Sequence, residues 1–260
     1  MSHPIVRSLS NGGSVRVHAD TPTLTRAAAD EFVRSGADAI GRRGRFDIAL
    51  SGGSTPRSVY SLLASTHAGS LSWDKVHLFF GDERPVGPED PQSNYRMVRE
   101  TLLSNPVMQP VIHRIEAERP AEEAADRYEG ELRNHFGAPP PAQPQFDLVL
   151  LGLGTDGHTA SLFPGTAALH EESRAVVANV VPQLQTKRIT LTFPAINQGR
   201  RVIFLTAGAD KAAVLAQVLS GTADGEAYPS QSVRPAGELL WMVDAAAAKE
   251  WLERASSHLS

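Results

Sequence analysis

The sequence predicts an α/β protein with three layers, α/β/α, around a mostly parallel, Rossmann-like central sheet. Two observations support this fold class. Short apolar runs rich in β-branched residues or phenylalanine alternate with helical patterns along the 260 residues, as they do in parallel βαβ units. Several of these runs end directly in glycines or charged residues, at the edge where a parallel sheet carries its functional groups.

Strands are predicted where a short apolar run is bounded by turn residues. In chain order they are Phe46–Leu50, Val76–Phe80, Phe146–Leu151, Ile189–Phe193, Val202–Thr206 and Leu239–Val243. Helices are predicted between them, with start signals such as Thr55 before Pro56 and Asp210 before an Ala/Leu/Val pattern. The predicted helices are Thr23–Ile40, Pro56–Ser65, Ser93–Leu103, Ala121–Phe136, Asp210–Leu219 and Ala245–Ala255.

We predict a single domain over residues 1–260. The strongest linker candidate is the segment 137–144, Gly-Ala-Pro-Pro-Pro-Ala-Gln-Pro, whose prolines forbid a helix and favour a stiff spacer. A loop within one domain is the favoured interpretation, because the strands on either side look alike and would share one sheet more economically than two. A boundary between two domains is the alternative.

Composition narrows the functional classes. The chain has no cysteine, which excludes disulfides, a thiolate nucleophile and a cysteine-based zinc site. A net charge of −4 without a Lys/Arg tract gives no reason to bind nucleic acid, and no apolar run is long enough to span a bilayer. We therefore expect a cytoplasmic protein that binds a small molecule and neither nucleic acid nor a membrane. A monomer or weak homo-oligomer is also expected, although composition does not disclose the oligomeric state.

A glycine-rich motif, Leu-Ser-Gly-Gly-Ser-Thr-Pro-Arg at residues 50–57, follows the first predicted strand. Its glycines let a ligand approach the backbone, its hydroxyls can donate hydrogen bonds, and the next helix directs free N–H groups into the same turn. These features predict an anion site of the phosphate-binding type, and an ordinary capped helix is the alternative. The candidate residues are Ser51, Gly52, Gly53, Ser54 and Thr55.

A charged motif, Gly-Asp-Glu-Arg at residues 81–84, follows the second predicted strand. Asp82, Glu83 and Arg84 could orient water, pair with a phosphate or balance a catalytic histidine. The alternative is a solvated loop with a surface ion pair. Further cations stand later in the chain: Lys187 and Arg188 precede a predicted strand, and Lys211 lies in the first turn of a helix, where the dipole disfavours a cation without an anionic partner.

The most informative segment is 146–164, where a buried apolar run ends in glycines and presents Asp156 beside His158. A neutral imidazole can take a proton from water, and an adjacent carboxylate can orient it. The same glycines, residues 152, 154 and 157, spell the G-x-G-x-x-G pattern of dinucleotide sites, but Pro164 would end the helix that this pattern requires. His158 could also be a structural histidine or belong to half of a metal site, although no third ligand has recognisable spacing.

Taken in order, these motifs closely resemble those of the 6-phosphogluconolactonase family, from about Phe46 to Leu219. The matching segments are Leu-Ser-Gly-Gly-Ser-Thr-Pro, Gly-Asp-Glu-Arg, Gly-Leu-Gly-x-Asp-Gly-His-x-Ala-Ser-Leu-Phe-Pro, Arg-Ile-Thr-Leu-Thr and Ala-Gly-x-x-Lys-Ala. The resemblance implies a single α/β domain of the type shared with glucosamine-6-phosphate deaminases. It also implies hydrolysis of 6-phosphoglucono-δ-lactone in the pentose phosphate pathway, with no cofactor and no metal.

The resemblance also implies roles for individual residues. His158 would be the general base for an attacking water, with Asp156 beside it, and Arg84 would stabilise charge developing on the lactone carbonyl. The residues expected to bind the substrate and its phosphate are Ser51, Gly52, Gly53, Ser54, Thr55, Asp82, Gly157, Arg188 and Lys211. The choice between Lys187 and Arg188 as the phosphate ligand stays open.

Two rival functions share this pattern. The deaminase family resembles the segment up to Asp-Gly-His and then carries a catalytic glutamate five residues after the histidine, where this chain has Phe163. A phenyl ring cannot carry a proton, which favours the lactonase. A sugar-phosphate sensor without catalysis is the second rival, and the presence of Asp156, His158 and Arg84 together disfavours it, since binding alone needs no titratable base.

Overall fold

The computed structural model describes residues 4–9, 12–220 and 224–257. The strands in these ranges are β1 Ile5–Ser8, β2 Ser14–His18, β3 Phe46–Leu50, β4 Val76–Phe80, β5 Asp82–Glu83, β6 Val111–Ile112, β7 Leu148–Leu151, β8 Val176–Val181, β9 Thr186–Leu191, β10 Arg201–Thr206 and β11 Glu238–Asp244. The α-helices are α1 Thr21–Arg43, α2 Ser54–Thr66, α3 Asn94–Glu100, α4 Ala121–Phe136, α5 Phe193–Asn197, α6 Ala212–Ser220 and α7 Ala245–Ser257.

The central sheet has eight strands in the order β1-β2-β11-β10-β7-β3-β4-β6. Every pairing in it is parallel except that of β1 with β2. All residues of β3, β7 and β10 are buried, because a parallel sheet is covered by helices on both faces. The predicted α/β fold class is confirmed.

Helices cover both faces of this sheet. With the right-handed crossovers general to parallel strands, the strand order puts α1 and α2 on one face and α4 and α6 on the other. Helix α1 contacts α2, and α6 contacts α7. The Asp20 side chain caps α1 by accepting a hydrogen bond from Thr23 N at 2.7 Å. Among the described helices, none is both long and apolar enough to cross a membrane.

A second, antiparallel sheet has the order β5-β9-β8. It corrects the prediction that Ile189–Phe193 is a strand of the parallel sheet: the strand spans Thr186–Leu191, pairs with β8 and β5, and Phe193 begins α5. Lys187 and Arg188 belong to this strand. They are half-exposed because the first half of β9 is open to solvent. The short strands β1, β2, β5, β6 and β8 were also not predicted.

The proline-rich segment 137–144 lies in the connection between α4 and β7. The strands before this connection (β3, β4 and β6) and after it (β7, β10 and β11) belong to the same eight-stranded sheet. The segment therefore connects two strands of one sheet, as a surface loop does. A single domain over residues 1–260 stays our prediction.

Candidate active site

A cleft of about 590 Å³ opens at the carboxyl ends of the central strands. It lies where β3 and β7 are neighbours, with the chain continuing from β3 towards β4 on one side and from β7 towards β10 on the other. Because the loops that leave two such strands diverge, a crevice forms between them, and ligands of open α/β sheets bind in this position. Of the predicted residues the cleft brings together Ser51, Gly52, Gly53, Ser54, Thr55, Asp82, Arg84, Asp156, His158, Arg188 and Lys211.

Asp156 and His158 form a hydrogen-bonded pair in the turn after β7. His158 Nδ1 lies 2.5 Å from Asp156 Oδ1, which also accepts a hydrogen bond from His158 N at 3.1 Å. A carboxylate at Nδ1 favours the proton on that nitrogen and leaves Nε2 with its lone pair. Partial burial acts to raise the pKa of Asp156, but the hydrogen bond and charge of His158 outweigh it and hold that pKa below its usual value.

Two neighbours fix the orientation of this pair. A Cβ atom at Gly154 would lie 2.0 Å from His158 Nδ1 and 2.7 Å from Asp156 Oδ1, so the turn accommodates the pair only with glycine at that position. On the other side, the Phe163 ring stacks on the His158 ring with centroids 4.0 Å apart. The imidazole is thus held between the backbone and an aromatic ring.

No α-helix directly follows these glycines; the described residues 158–166 contain none. Residues 159 and 162 form an isolated bridge, and the next helical turn is the short 3-10 segment Ala167–His170. The dinucleotide interpretation needs an α-helix directly after the third glycine and is therefore wrong for this loop. Gly157, which was predicted to bind the substrate, has φ +83° and packs against Tyr228, and it is not among the residues that line the cleft.

Arg84 is held beside the cleft by polar contacts. Its Nη1 donates to Gln92 O and to Asn94 Oδ1, each at 2.6 Å. Asn94 in turn donates to the Asp82 carbonyl at 2.8 Å. Asn94 also lies close to the glycine-rich loop: a Cβ atom at Gly52 would be 2.0 Å from Asn94 Oδ1. Asn94 therefore connects the charged motif to the glycine-rich motif.

The buried carboxylate of Glu83 organises the same loop from behind. It accepts hydrogen bonds from the backbone N–H groups of Arg84, Asn94 and Tyr95, at 2.8 to 2.9 Å. Burial raises the pKa of Glu83 despite these donors. Its role is to fix the start of α3, whereas Asp82, whose Oδ2 accepts a hydrogen bond from Ser161 Oγ at 2.6 Å, lines the cleft.

The other end of the cleft is suited to an anion. Helix α2 begins at Ser54 with Gly53 as its N-cap and no side-chain capping bond, so its first N–H groups are free to bind a ligand. Ser51 Oγ and Thr206 Oγ1 are buried without a hydrogen-bond partner among the described residues. Thr206 was not predicted, although a polar residue at the end of a buried strand is a signal that sequence reasoning could have used.

Two further cations, Arg188 and Lys211, line the cleft. Arg188 lines the cleft, whereas the adjacent Lys187 forms an ion pair with Glu122 of α4 and does not line it. Burial and then the charge of Arg84 lower the pKa of Arg188, so an anionic ligand would relieve repulsion between two guanidinium groups. Lys211 Nζ lies 3.4 Å from Asp210 Oδ2, within the same cleft.

Comparison with known proteins identifies the family. The sequence profile described as glucosamine-6-phosphate isomerases/6-phosphogluconolactonase matches residues 19–241. A 6-phosphogluconolactonase from a Nostoc species is 44% identical over 91% of this chain and 98% of its own length, and one from Synechocystis is 44% identical over 79% and 85%. The solved 6-phosphogluconolactonase from Trypanosoma cruzi superimposes with a TM-score of 0.83 at 32% identity, over 94% of this chain and 98% of its own. The chain therefore belongs to the glucosamine-6-phosphate isomerase/6-phosphogluconolactonase family.

Proposed function

We propose that this protein hydrolyses 6-phosphoglucono-δ-lactone to 6-phosphogluconate. The observation that carries the proposal is the joint position of the Asp156–His158 pair and the Ser51–Thr55 anion site on a single cleft. A phosphorylated lactone presents an electrophilic carbonyl at one end and a dianion at the other. The same activity is named for the curated relatives from Nostoc and Synechocystis.

In the proposed mechanism, His158 Nε2 takes a proton from a water molecule as that water attacks the lactone carbonyl. Asp156, hydrogen-bonded to Nδ1, stabilises the imidazolium that results. Arg84 stabilises the negative charge that develops on the carbonyl oxygen. When the tetrahedral intermediate collapses, the bond from carbon to the ring oxygen breaks, and the imidazolium returns its proton to that oxygen.

The phosphate is proposed to bind at the free N–H groups of α2, with Arg188 and Lys211 as its cationic partners. Arg188 is favoured over Lys187 because Lys187 is paired with Glu122 outside the cleft. This binding places the lactone ring towards His158 and Arg84. A cytoplasmic location and a monomeric or weakly oligomeric state complete the proposal.

The deaminase and isomerase alternative is disfavoured by Phe163. Its ring stacks on His158 at 4.0 Å, at the position where the sequence of the deaminase family carries a proton-transferring glutamate. A hydrocarbon ring there shields the imidazole and moves no proton. In the proposed ester hydrolysis His158 is the only group that transfers a proton, whereas ring opening of an amino sugar needs a further acid or base.

The test is an assay of the purified protein with freshly prepared 6-phosphogluconolactone, followed by acid release. Hydrolysis well above the spontaneous rate is expected, and unphosphorylated gluconolactone should be a much poorer substrate. Glucosamine 6-phosphate, assayed in parallel for ammonia release, should not react. Hydrolysis no faster than in buffer would refute the proposal, and ammonia release would establish the rival function.

A further inference from the structure

Three half-buried histidines converge at the opposite end of β4 from the cleft. His77 is the second residue of β4, His113 directly follows β6, and His135 lies in the last turn of α4. One ring nitrogen from each lies within 4.8 Å of the corresponding nitrogens of the other two. The lactonase mechanism uses none of these side chains.

Carboxylates occupy the outer nitrogens of two of these rings. His113 Nδ1 lies 2.6 Å from Glu131 Oε1, and His135 Nε2 lies 2.8 Å from Asp47 Oδ1. His113 Nε2 and His135 Nδ1 are therefore the ring nitrogens of these two residues that no carboxylate contacts. His113 Nε2 is 3.1 Å from His77 Nδ1. In protein metal sites, ligating histidines usually donate their second nitrogen to a carboxylate, which fixes the ring and its tautomer.

The spacing agrees with a tetrahedral metal. Zinc–nitrogen bonds of about 2.0–2.1 Å place two ligands of a tetrahedron about 3.3 Å apart, close to the 3.1 Å between His77 Nδ1 and His113 Nε2. We propose that His77, His113 and His135 bind a divalent transition metal ion, Zn²⁺ being the probe, with a fourth position open to solvent. One ring nitrogen of His135 lies within 4.8 Å of the other two ligand nitrogens, so small side-chain rotations bring the three to the spacing of about 3.3 Å.

The surroundings permit access and hold the rings. A surface depression of about 670 Å³, lined by Glu131 and His135 among others, opens beside the cluster. Its two arginines do not oppose a cation strongly, because Arg114 pairs with Glu118 at 2.6 Å and Arg127 with Glu116 at 3.0 Å. The His113 ring also stacks on Phe79, with centroids 4.2 Å apart.

A metal at this position would join two strands of the sheet to α4. Its role would be structural, because the cluster lies near the amino end of β4 while the cleft follows the carboxyl end. No metal was expected from the sequence, since the three histidines are 22 and 36 residues apart and match no short ligand motif. Only the pairing of β4 with β6 and the packing of α4 bring them together.

The experiment is calorimetric titration of Zn²⁺ into the tag-free, chelator-treated full chain. We expect one Zn²⁺ per chain and a rise in Tm when Zn²⁺ is added. His113→Phe, which keeps the ring stacked on Phe79 but removes both nitrogens, should weaken Zn²⁺ binding at least about tenfold, and Glu131→Gln should weaken it to a smaller extent. Each variant should match the wild-type far-ultraviolet circular dichroism without metal.

Two further variants separate this cluster from other histidines. His158→Ala removes the histidine of the cleft and His170→Ala removes an exposed one, and both should keep wild-type Zn²⁺ affinity. If His113→Phe does not fold, His135→Gln provides the same comparison. The proposal is overturned if the wild-type chain binds no Zn²⁺, if the folded cluster variant keeps full affinity, or if His158→Ala abolishes binding. None of these measurements depends on lactonase activity.

Discussion

His158 has one ring nitrogen committed to Asp156 and the other available for chemistry. We expect His158→Ala to lower kcat for lactone hydrolysis about 100-fold or more, because general-base catalysis typically contributes that factor. Steady-state kinetics of the variant would measure it, with His170→Ala, at an exposed position, as the matched control. A near-normal kcat in His158→Ala would remove the proposed base and leave the lactonase function to be explained by other groups.

The pH profile provides an independent check on the same residue. Protonated imidazole cannot accept a proton from water, so kcat/KM of the wild-type protein should fall as the pH is lowered. Asp156 remains ionised during this change because its pKa lies below the usual value for an aspartate. If the residual activity of His158→Ala shows the same fall at low pH, a group other than His158 causes that fall.

Arg188 and its neighbour Lys187 make a matched pair for testing the phosphate site. Arg188→Ala should raise KM roughly tenfold or more with little effect on kcat, because a phosphate is held equally in the ground and transition states. Lys187→Ala should leave both constants near wild type, since Lys187 is paired with Glu122 away from the cleft. The opposite pattern in the two variants would assign the phosphate to Lys187.

At the scale of the element, the turn after β7 works only with glycine at position 154. In Gly154→Ala the new Cβ would meet His158 Nδ1 at 2.0 Å, which should displace the imidazole and lower kcat about 100-fold. The fold should persist, because the turn is at the surface of the cleft. Gly69→Ala is the control, since a Cβ there meets nothing within 4 Å. Wild-type kcat in Gly154→Ala would show that the pair tolerates repacking.

The strands that lead into the cleft could be predicted from the sequence, because each is a buried apolar run followed directly by glycine or a polar residue. Ser51, Asp82 and Asp156 were found in this way, and the family match confirms the resemblance that these motifs carry. Strand β9 was misassigned because alternating apolar residues such as Ile189 and Leu191 do not reveal which sheet they join. Thr206 was missed because a single hydroxyl has no sequence signal apart from its position.

At the scale of the whole molecule, Glu31 joins distant parts of the chain. From α1 it pairs with Arg201 of β10 at 2.6 Å and with Arg16 of β2. Burial works to raise the pKa of Glu31, but hydrogen bonds from Arg201 and two further arginines lower it to about 2. Long-range pairs of this kind follow from the folded topology and cannot be found from periodicity.

We expect Glu31→Gln to lower the free energy of unfolding by about 3 kcal/mol at neutral pH, because folding lowers the pKa of the Glu31 carboxyl from 4.5 to about 2 and the variant loses that stabilisation. The contribution is fully present above the unfolded-state pKa of 4.5 and is lost as the pH falls through about 2, so wild type and variant should converge in acid. Denaturant unfolding at several pH values would measure this. Glu238 also pairs with Arg201 but is exposed, so Glu238→Gln should lower the free energy of unfolding by less than about 1 kcal/mol.

The arrangement of the cleft also bears on how the protein acquires activity during synthesis. The glycine-rich loop, residues 51–55, is synthesised well before Lys211. Both β3 and β7 must pair before the crevice between them exists. A nascent chain released before residue 211 would therefore carry the base without its full set of cations, and no contiguous fragment shorter than about residues 51–211 holds the complete cleft.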